Sequence, residues 1–308
     1  MKDLSDYLLC TTGLTKRFGH HKAVDHVNLH IPKGAIYGFI GRNGAGKTTC
    51  LKMISGLSTP TEGEMEIFGY KGRDLKQMRS RIGCLIEMPG LYENMTAYEN
   101  LKIKCLFCGI HKKGYIEDIL ETVGLSDAKA KKTKHFSLGM KQRLGIGLAL
   151  VGEPDLLVLD EPINGLDPQG IVEIRNTLYK LQKERNLTII ISSHILEELA
   201  KIATNYGIIH NGKLLQELTR EELMNRCSER IEMTLDEPKQ AIPVLDRLGF
   251  TKYQVTDKNH IQVYERLNES ALLNMELAKE GILVRGMSIT SEELESYYLN
   301  LTGGASHA

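Results

Sequence analysis

The sequence predicts an α/β fold, because apolar strand-like segments alternate with helical patterns along most of the chain. Three observations support this prediction. A glycine-rich loop separates a buried strand pattern at residues 35–40 from a helical pattern at residues 50–57. A second apolar run at residues 156–159 ends in two carboxylates, and a third at residues 188–193 is followed by a histidine. Ligands gather at the strand ends of such sheets, so these loops predict a binding site.

The glycine-rich loop fits the phosphate-binding pattern G-x-x-x-x-G-K-[ST]. Its glycines can adopt conformations closed to other residues and turn successive N–H groups towards an anion at a helix N-terminus. Lys47 would contact the β- and γ-phosphates of a nucleotide, and Thr48 would hold Mg²⁺. The residues predicted to bind the nucleotide here are Gly41, Arg42, Asn43, Gly44, Ala45, Gly46, Lys47, Thr48 and Thr49.

The two carboxylates after the second apolar run predict the catalytic chemistry. Charged residues in this position are seldom part of a core. Asp160 suits the coordination shell of Mg²⁺, and Glu161 suits the polarisation of an attacking water. A lone histidine is more often structural than catalytic, but the place of His194 at a strand end favours a contact with the γ-phosphate.

With these motifs, residues 8–218 resemble the ATP-binding subunits of ABC transporters. The resemblance also rests on residues 136–143, which match the family signature, on residues 164–167, which match its D-loop, and on His194, which matches its switch histidine. It implies a P-loop NTPase core that hydrolyses ATP, with ATP and Mg²⁺ as cofactors. Phe18 lies where the family places an aromatic ring to stack on adenine, and core packing is the alternative for this residue.

The resemblance implies that one chain cannot complete the site. In the family, two such domains meet head to tail, so that Ser137 and Gly139 of one chain and the loop around Lys47 of the other enclose the same ATP. A signature helix predicted from residue 144 would direct its positive end at the γ-phosphate. The expected partners are a second copy, as a homodimer, and a separate multi-span permease, with no nucleic acid. The expected location is cytoplasmic, peripheral on the inner face of the cell membrane.

Three positions depart from the general family pattern. Glu87 stands where most members have Gln, and its carboxylate could ligate Mg²⁺ or hold the water. Its charge is expected near Asp160 and Glu161, which would disfavour ionisation or require the metal. In the signature, Leu138 replaces a Gly and Met140 replaces a Gln. The phosphate contact of the signature is expected to survive these replacements.

Glu87, residues 89–101 and the signature together resemble the bacitracin-resistance and lantibiotic-immunity ATPases, which drive peptide antibiotics away from the bacterial membrane. The expected function is therefore to power peptide-antibiotic efflux through a separate permease. Two alternatives stay open, an ATPase acting on ribosomes or nucleic acid without a permease and a subunit that senses nucleotide with little turnover. Balanced charge and a single nucleotide domain argue against the first, and Glu161 argues against the second.

The composition agrees with a motor subunit that is not itself the channel. The chain has 308 residues with 39 Lys and Arg and 39 Asp and Glu, and no window reaches the roughly 20 apolar residues of a membrane span. Residues 1–6 lack the basic region of a secretory signal, which leads us to expect a cytoplasmic protein. The six scattered cysteines fit reduced thiols, and Cys105 with Cys108 favours an apolar helix face over a zinc site.

The pattern along the chain predicts a nucleotide-binding domain at residues 1–218, with a helical lobe inserted at about residues 88–149. The basic run at residues 129–134 is expected to be a solvated loop of this lobe. Residues 219–308 have ten Lys and Arg against fifteen Asp and Glu and form a separate acidic unit. Its alternating strands and helices predict a small ferredoxin-like α/β domain, closed by a capped amphipathic helix at residues 291–299. A regulatory or dimer-stabilising role and plain structural support stay open for this domain.

Overall fold

The computed structural model describes residues 6–227, 229–290 and 294–303. Tertiary contacts divide the chain into two units, Met1–Arg220 and Glu221–Ala308. No helix in these described ranges is long and apolar enough to cross a membrane.

The first unit combines eleven described strands with seven described α-helices. The strands are β1 (Tyr7–Phe18), β2 (His21–Val27), β3 (His30–Pro32), β4 (Ile36–Ile40), β5 (Glu62–Ile67), β6 (Tyr70–Lys71), β7 (Ile82–Leu85), β8 (Leu156–Asp160), β9 (Thr188–Ser193), β10 (Asn205–His210) and β11 (Lys213–Thr219). The helices are α1 (Lys47–Ile54), α2 (Leu75–Met78), α3 (Ala97–Phe107), α4 (Tyr115–Thr122), α5 (Leu138–Leu150), α6 (Pro168–Arg185) and α7 (Leu196–Ala200).

A six-stranded sheet of order β11-β10-β4-β9-β8-β7 forms the centre of this unit. The five strands from β10 to β7 are parallel, and β11 adds an antiparallel edge. Every residue of β4, β8 and β9 is buried, as expected for parallel strands covered on both faces. The register pairs Asp160 with Ser192 and Ile40 with Ser193, so the carboxyl ends of these three strands lie side by side. The loops that leave these ends are the ones that the sequence marks as functional.

A second, antiparallel sheet of order β2-β1-β5-β6, with β3 also on β1, packs against α1. Their shared core joins Leu9, Leu14 and Ile31 of the antiparallel strands to Leu51 and Met53 of α1. This packing fixes the direction in which α1 leaves the glycine-rich loop. The helix begins at Lys47, three residues before the predicted start, because Gly46 in a left-handed conformation is its N-cap.

Three helices, α3, α4 and α5, stand between β7 and β8 and contact one another, where the sequence predicts a helical lobe. A capping box fixes the start of α3, since Thr96 accepts from the backbone N–H of Glu99 while the Glu99 carboxylate accepts from the N–H of Thr96. The α5 helix begins at Leu138 rather than at the predicted residue 144. The predicted start was wrong because Gly139 and the polar run at residues 141–143 interrupt the apolar pattern there.

The second unit contains α8 (Arg220–Cys227), β12 (Arg230–Leu235), α9 (Ile242–Arg247), β13 (Tyr253–Val255), β14 (His260–Val263), α10 (Ser270–Lys279), β15 (Val284–Thr290) and α11 (Leu294–Leu301). Its sheet has the order β13-β14-β12-β15 with all neighbours antiparallel. This βαββαβ arrangement is the predicted ferredoxin-like topology. The last strand runs to Thr290, beyond the predicted residue 285, because it pairs with the whole of β12. Residues 291–293, where the closing helix was expected to be capped, lie outside the described residues.

Candidate functional site

The glycine-rich loop follows β4, and its backbone is tightly packed against neighbouring backbone atoms. A Cβ atom on Gly41 would lie 2.6 Å from the Ile209 carbonyl oxygen, and one on Gly46 would lie 2.4 Å from the Ala23 carbonyl oxygen. Gly44 and Gly46 also have φ values of 81° and 105°, which side chains disfavour. Glycine is therefore required at these positions by space and by conformation. The loop ends at the N-terminus of α1, whose free N–H groups suit an anion.

Lys47 is a buried cation held at the loop, with 5% of its side chain exposed. Its Nζ donates to the carbonyl oxygens of Gly41 at 2.6 Å and Arg42 at 3.3 Å. It also lies 3.0 Å from Glu161 Oε1. Because a buried charge needs such partners, the ammonium is fixed between the loop and the end of β8. Phosphate oxygens at this loop would compete with Glu161 for the same cation.

Asp160 has hydrogen-bond partners for both carboxylate oxygens. Thr48 Oγ1 donates to Oδ2 at 2.7 Å, and Ser192 Oγ donates to Oδ1 at 2.6 Å. The Asp160 side chain is buried, so these two hydroxyls fix its orientation. Thr48 and Asp160 thus present two adjoining hard oxygen donors beside the phosphate-binding loop. This donor set fits Mg²⁺, which takes few protein ligands and completes its shell with phosphate and water oxygens.

Glu161 occupies a strained turn directly after β8. Its φ of 50° lies in the left-handed region, which costs a non-glycine residue about 1–2 kcal/mol. Its N–H donates to Ser192 Oγ at 2.9 Å, and its carbonyl oxygen accepts from the N–H of Asn164 at 3.1 Å. The carboxylate lies between two basic groups, Lys47 and the Nδ1 of His194, which is 2.8 Å from Oε2. The turn therefore directs a carboxylate that can accept a proton towards the loop rather than into the core.

Glu87 follows β7 by two residues, and its side chain is 65% exposed. Its Oε1 lies 2.6 Å from Lys52 Nζ, on α1. Lys52 thus supplies a cation beside Glu87, and the expected closeness of the Glu87 charge to Asp160 and Glu161 stays a prediction. A role for Glu87 in Mg²⁺ binding or water binding stays a prediction.

Phe18 is 58% exposed at the end of β1, so the alternative of core packing is wrong. Lys16 Nζ lies 5.3 Å from the ring centroid, within the range of a cation–π interaction. An exposed ring flanked by a cation suits stacking on a purine. The adenine contact stays a prediction.

The signature residues lie at the start of α5 on the helical lobe. Ser137 is the N-cap of this helix, and its Oγ accepts from the N–H of Met140 at 3.2 Å. Gly139 lies in the first turn, and the nearest atoms to a Cβ there would belong to Leu166 and Gly170 at 3.8 Å. The positive end of the helix dipole is thus at Ser137 itself and not at the predicted residue 144. The predicted phosphate contacts Ser137 and Gly139 therefore lie at the N-terminus of α5.

The predicted D-loop, residues 164–167, connects the turn at Glu161 to α6. Asp167 is the N-cap of α6, and its Oδ1 accepts from the N–H of Gly170 at 2.9 Å. The loop begins at the hydrogen bond between the N–H of Asn164 and the carbonyl oxygen of Glu161. It therefore joins the turn that carries Glu161 to the residues beside Gly139.

The sequence predictions missed two residues at this site, Ser192 and Lys52. Ser192 contacts both Asp160 and Glu161, and Lys52 pairs with Glu87. A signal existed for Ser192, because a fully buried hydroxyl at the end of an apolar strand requires a polar partner. Lys52 gave no such signal, since a lysine on the exposed side of a helix is common.

Comparison with known proteins places this geometry among transport ATPases. The family model described as ABC transporter matches residues 24–164. The bacitracin transport ATP-binding protein BcrA of Bacillus licheniformis is 46% identical, over 96% of this chain and 98% of that protein. The protein of the same name in Enterococcus faecalis is 43% identical, over 98% of both chains. The lantibiotic transport ATP-binding protein SrtF of Streptococcus pyogenes is 43% identical, over 68% of this chain and 90% of that protein.

Solved structures share the fold of the first unit. A dimeric ATP-binding cassette in a post-hydrolysis state, bound to ADP and Pi, has a TM-score of 0.62 at 26% identity and covers 69% of this chain and 98% of its own. The cbiO1 protein of Clostridium perfringens, part of the cbiONQ ABC transporter complex, has a TM-score of 0.65 at 26% identity. It covers 79% of this chain and 96% of its own.

Proposed function

Because this chain belongs to the ATP-binding proteins of ABC transporters, we propose that it is the ATP-hydrolysing subunit of an exporter for a peptide antibiotic of the bacitracin or lantibiotic kind. The observation that carries the proposal is the convergence of a phosphate loop, a buried lysine and two carboxylates at the ends of three parallel strands. The bacitracin and lantibiotic relatives supply the transport role and the class of cargo.

ATP binding is the first step that this arrangement supports. The loop N–H groups and the N-terminus of α1 would bind the phosphates, and Lys47 would exchange its ion pair with Glu161 for phosphate oxygens. Thr48 and Asp160 would hold Mg²⁺. When bound, Mg²⁺ would neutralise phosphate charge and orient the phosphate chain. Phe18, exposed at the end of β1, would stack on the adenine.

Hydrolysis then depends on Glu161 and its neighbours. Once Lys47 binds phosphate, the Glu161 carboxylate is free to accept a hydrogen bond from the attacking water and take its proton. His194 lies 2.8 Å from the other oxygen of this carboxylate and would both position it and contact the γ-phosphate. The left-handed turn fixes the carboxylate before substrate arrives, which reduces the reorganisation needed during reaction.

Two chains would share each ATP. We assign Ser137 and Gly139 to the ATP bound at the loop of a second copy, with the N-terminus of α5 adding a positive dipole at the γ-phosphate. The dimeric state of the solved ADP- and Pi-bound cassette supports this pairing. A two-fold pair would also present two identical surfaces to a membrane partner, on the inner face of the membrane.

The permease would contact the lobe beside Glu87. Residues Met88, Tyr92, Leu106 and Phe107 there are all more than half exposed, with Phe107 at 82%. Tyr92 and Phe107 also line a cavity of about 720 Å³ between this lobe and β7. Large exposed apolar side chains in one region are typical of a protein interface. Residues 88–101, together with Leu106 and Phe107, are therefore our candidate for the surface that transmits nucleotide state to the permease.

Export of a peptide antibiotic is tested by the phenotype of the host cell. A strain lacking the chain should become sensitive to bacitracin or to a lantibiotic, and the parent gene should restore resistance. The Lys47→Ala variant, expressed at the same level, should not restore it, because hydrolysis would be lost. Unchanged sensitivity of the deletion strain to both classes would contradict the proposed cargo.

Binding of the chain to a membrane permease is tested by a separate experiment. The tagged chain, purified from detergent-solubilised cells, should retain a multi-span membrane protein. Recovery of ribosomes or nucleic acid in place of a permease would support the alternative function, which the transport relatives do not favour. The Leu57→Glu variant, altered at an exposed apolar side chain outside residues 88–107, is the matched control for later interface variants.

A further inference from the structure

Ser192 is a buried hydroxyl that connects the two carboxylates of the site. It lies near the carboxyl end of β9, and the residue has no exposed surface. Its Oγ donates to Asp160 Oδ1 at 2.6 Å and accepts from the N–H of Glu161 at 2.9 Å. A hydroxyl has one donor and two acceptor positions, so these two bonds use the donor and one acceptor. One side chain thus bonds to two consecutive residues that the proposed chemistry requires.

We propose that Ser192 is a positioning residue for ATP hydrolysis, acting at the same time on the Mg²⁺ carboxylate and on the backbone of the catalytic carboxylate. The inference rests on the proposed ATPase function of the site. Ser192 itself would contact neither the nucleotide nor the attacking water. Its effect would pass entirely through Asp160 and Glu161.

The first effect concerns the orientation of Asp160. Because Ser192 holds Oδ1, the Asp160 carboxylate cannot rotate about its Cβ–Cγ bond. Oδ2 therefore stays 2.7 Å from the hydroxyl oxygen of Thr48. Mg²⁺ would be bound on this side of the carboxylate. Partners that hold a metal-binding carboxylate in this way determine affinity, and their loss typically costs about tenfold to a hundredfold in metal affinity or activity.

The second effect concerns the turn at Glu161. A left-handed residue other than glycine persists only where its surroundings hold it. The N–H of Glu161 has Ser192 Oγ as its acceptor, and this bond is formed in the same register that pairs Asp160 with Ser192 across β8 and β9. Without the hydroxyl, the N–H would be left without that acceptor at a partly buried position. The carboxylate would then lose its fixed direction towards Lys47 and His194.

Ser193 supplies a matched control within the same strand. It is equally buried, but its Oγ accepts from the N–H of Ile195 at 2.9 Å. Successive residues of a strand point to opposite faces, so the two serines act on different surroundings. Ser192→Ala and Ser193→Ala remove the same atom from neighbouring buried positions. Any general weakening of the sheet should therefore appear in both variants.

The test combines a binding measurement with a kinetic one. Calorimetry with a non-hydrolysable ATP analogue, with and without Mg²⁺, measures how far Mg²⁺ raises the affinity for the analogue. This increase should be about tenfold to a hundredfold smaller in Ser192→Ala than in the parent, while binding without Mg²⁺ is unchanged. Steady-state kinetics should show a lower kcat and a higher Mg²⁺ concentration for half-maximal activity. Ser193→Ala should match the parent in its affinity with Mg²⁺, its affinity without Mg²⁺ and the Mg²⁺ concentration for half-maximal activity. Ser192→Thr, which keeps the hydroxyl, should recover most of the kcat.

Three results would overturn the inference. These are a parent-like Mg²⁺ dependence in Ser192→Ala, an equal loss in Ser193→Ala, or no difference between Ser192→Thr and Ser192→Ala when both are folded. If Ser192→Ala does not fold, Ser192→Cys replaces it, because the thiol is of similar size and only a weak donor and should show the same Mg²⁺ defect. Failure of the ATPase function itself would appear separately, as absent phosphate release by the parent protein.

Discussion

Lys47 Nζ and Glu161 Oε1 lie 3.0 Å apart, so the cation of the phosphate loop and the candidate catalytic base form one ion pair. The pair is largely buried, with 5% of the lysine side chain and 20% of the glutamate side chain exposed. Each group therefore neutralises the other until an anionic ligand arrives. Substrate phosphate would take the lysine and release the glutamate, which links ATP binding to the appearance of an active base.

Replacement of Lys47 by Ala should weaken ATP binding itself. The ammonium is the buried cation of the loop, and charge-assisted bonds to phosphate are each worth about 1.5–3 kcal/mol. We expect the dissociation constant for ATP to rise roughly tenfold to a hundredfold in calorimetry. Lys52→Ala, on the same helix but paired with Glu87, should bind ATP as the parent does. Equal affinity of Lys47→Ala and parent would show that the loop does not bind phosphate.

Glu87 should affect coupling more than hydrolysis. Glu87→Gln keeps the shape and an amide oxygen, so ATPase activity should persist. Glu87→Ala removes the group beside residues 88–101 and should reduce the resistance phenotype further than the ATPase rate. Little change in stability is expected, because an exposed ion pair contributes only about 0.2–1 kcal/mol.

Lys52→Ala separates the two possible roles of Glu87. It removes the 2.6 Å ion pair while leaving the carboxylate in place. A coupling defect in Glu87→Ala but not in Lys52→Ala, with Mg²⁺ varied in both assays, would support a direct role of the carboxylate. If Glu87→Ala matches the parent in ATPase rate and in resistance, the residue is only part of the surface.

Phe107 should matter for the permease and not for the basal ATPase. It is 82% exposed at the end of α3, so Phe107→Glu should fold normally. A charge placed in an apolar contact costs more than about 1.4 kcal/mol, so the amount of co-purified permease should fall at least about tenfold. Leu57→Glu is the control for added charge. Equal permease recovery in both variants would exclude this face as the docking surface.

Tyr37 should make stability fall at alkaline pH. Burial, together with the nearby Glu217 carboxylate, holds the pKa of Tyr37 well above its ordinary value. Tyr37 OH donates to Glu217 Oε1 at 2.7 Å, which favours the neutral phenol. With the folded pKa above the unfolded value of about 10, the contribution of this group to stability is complete below pH 10 and is lost as the pH rises towards the folded pKa.

The measurement for Tyr37 is the free energy of unfolding as a function of pH. The parent should lose up to about 1.4 kcal/mol per pH unit more than Tyr37→Phe between about pH 10 and 11, because Phe cannot ionise. Below about pH 9 the two curves should be parallel, offset by the lost hydrogen bond. Parallel curves through pH 11 would contradict the predicted contribution of the phenol.

Much of the fold was predictable because its central strands are continuous apolar runs. The strands β8 and β9 contain the apolar runs predicted at residues 156–159 and 188–193, and the ferredoxin-like topology follows from the order of strands and helices. Helix starts were less predictable. The α1 helix begins three residues before its predicted position and α5 begins six residues before, since their first turns contain polar and small residues that mask the apolar period.

The sequence predicts which residues form the site but not which side chains contact one another there. The loop, Asp160 and Glu161 are visible in sequence because their chemistry is carried by a local pattern. The bonds of Ser192 depend on the register between β8 and β9, and the pairing of Lys52 with Glu87 joins residues 35 positions apart. Neither follows from local sequence. The left-handed turn at Glu161 is likewise a property of the assembled strand ends.

The role of Glu161 is tested by phosphate release from MgATP, measured for the purified protein and for its Glu161→Gln variant. Glutamine keeps the shape of the side chain and can still bond to His194, but it cannot accept the proton of the attacking water. We expect turnover to fall by about a hundredfold to ten-thousandfold. We expect ATP affinity to be kept or increased, since Lys47 loses its anionic competitor. Turnover close to that of the parent protein would contradict the assignment of Glu161 and, with it, the proposed mechanism.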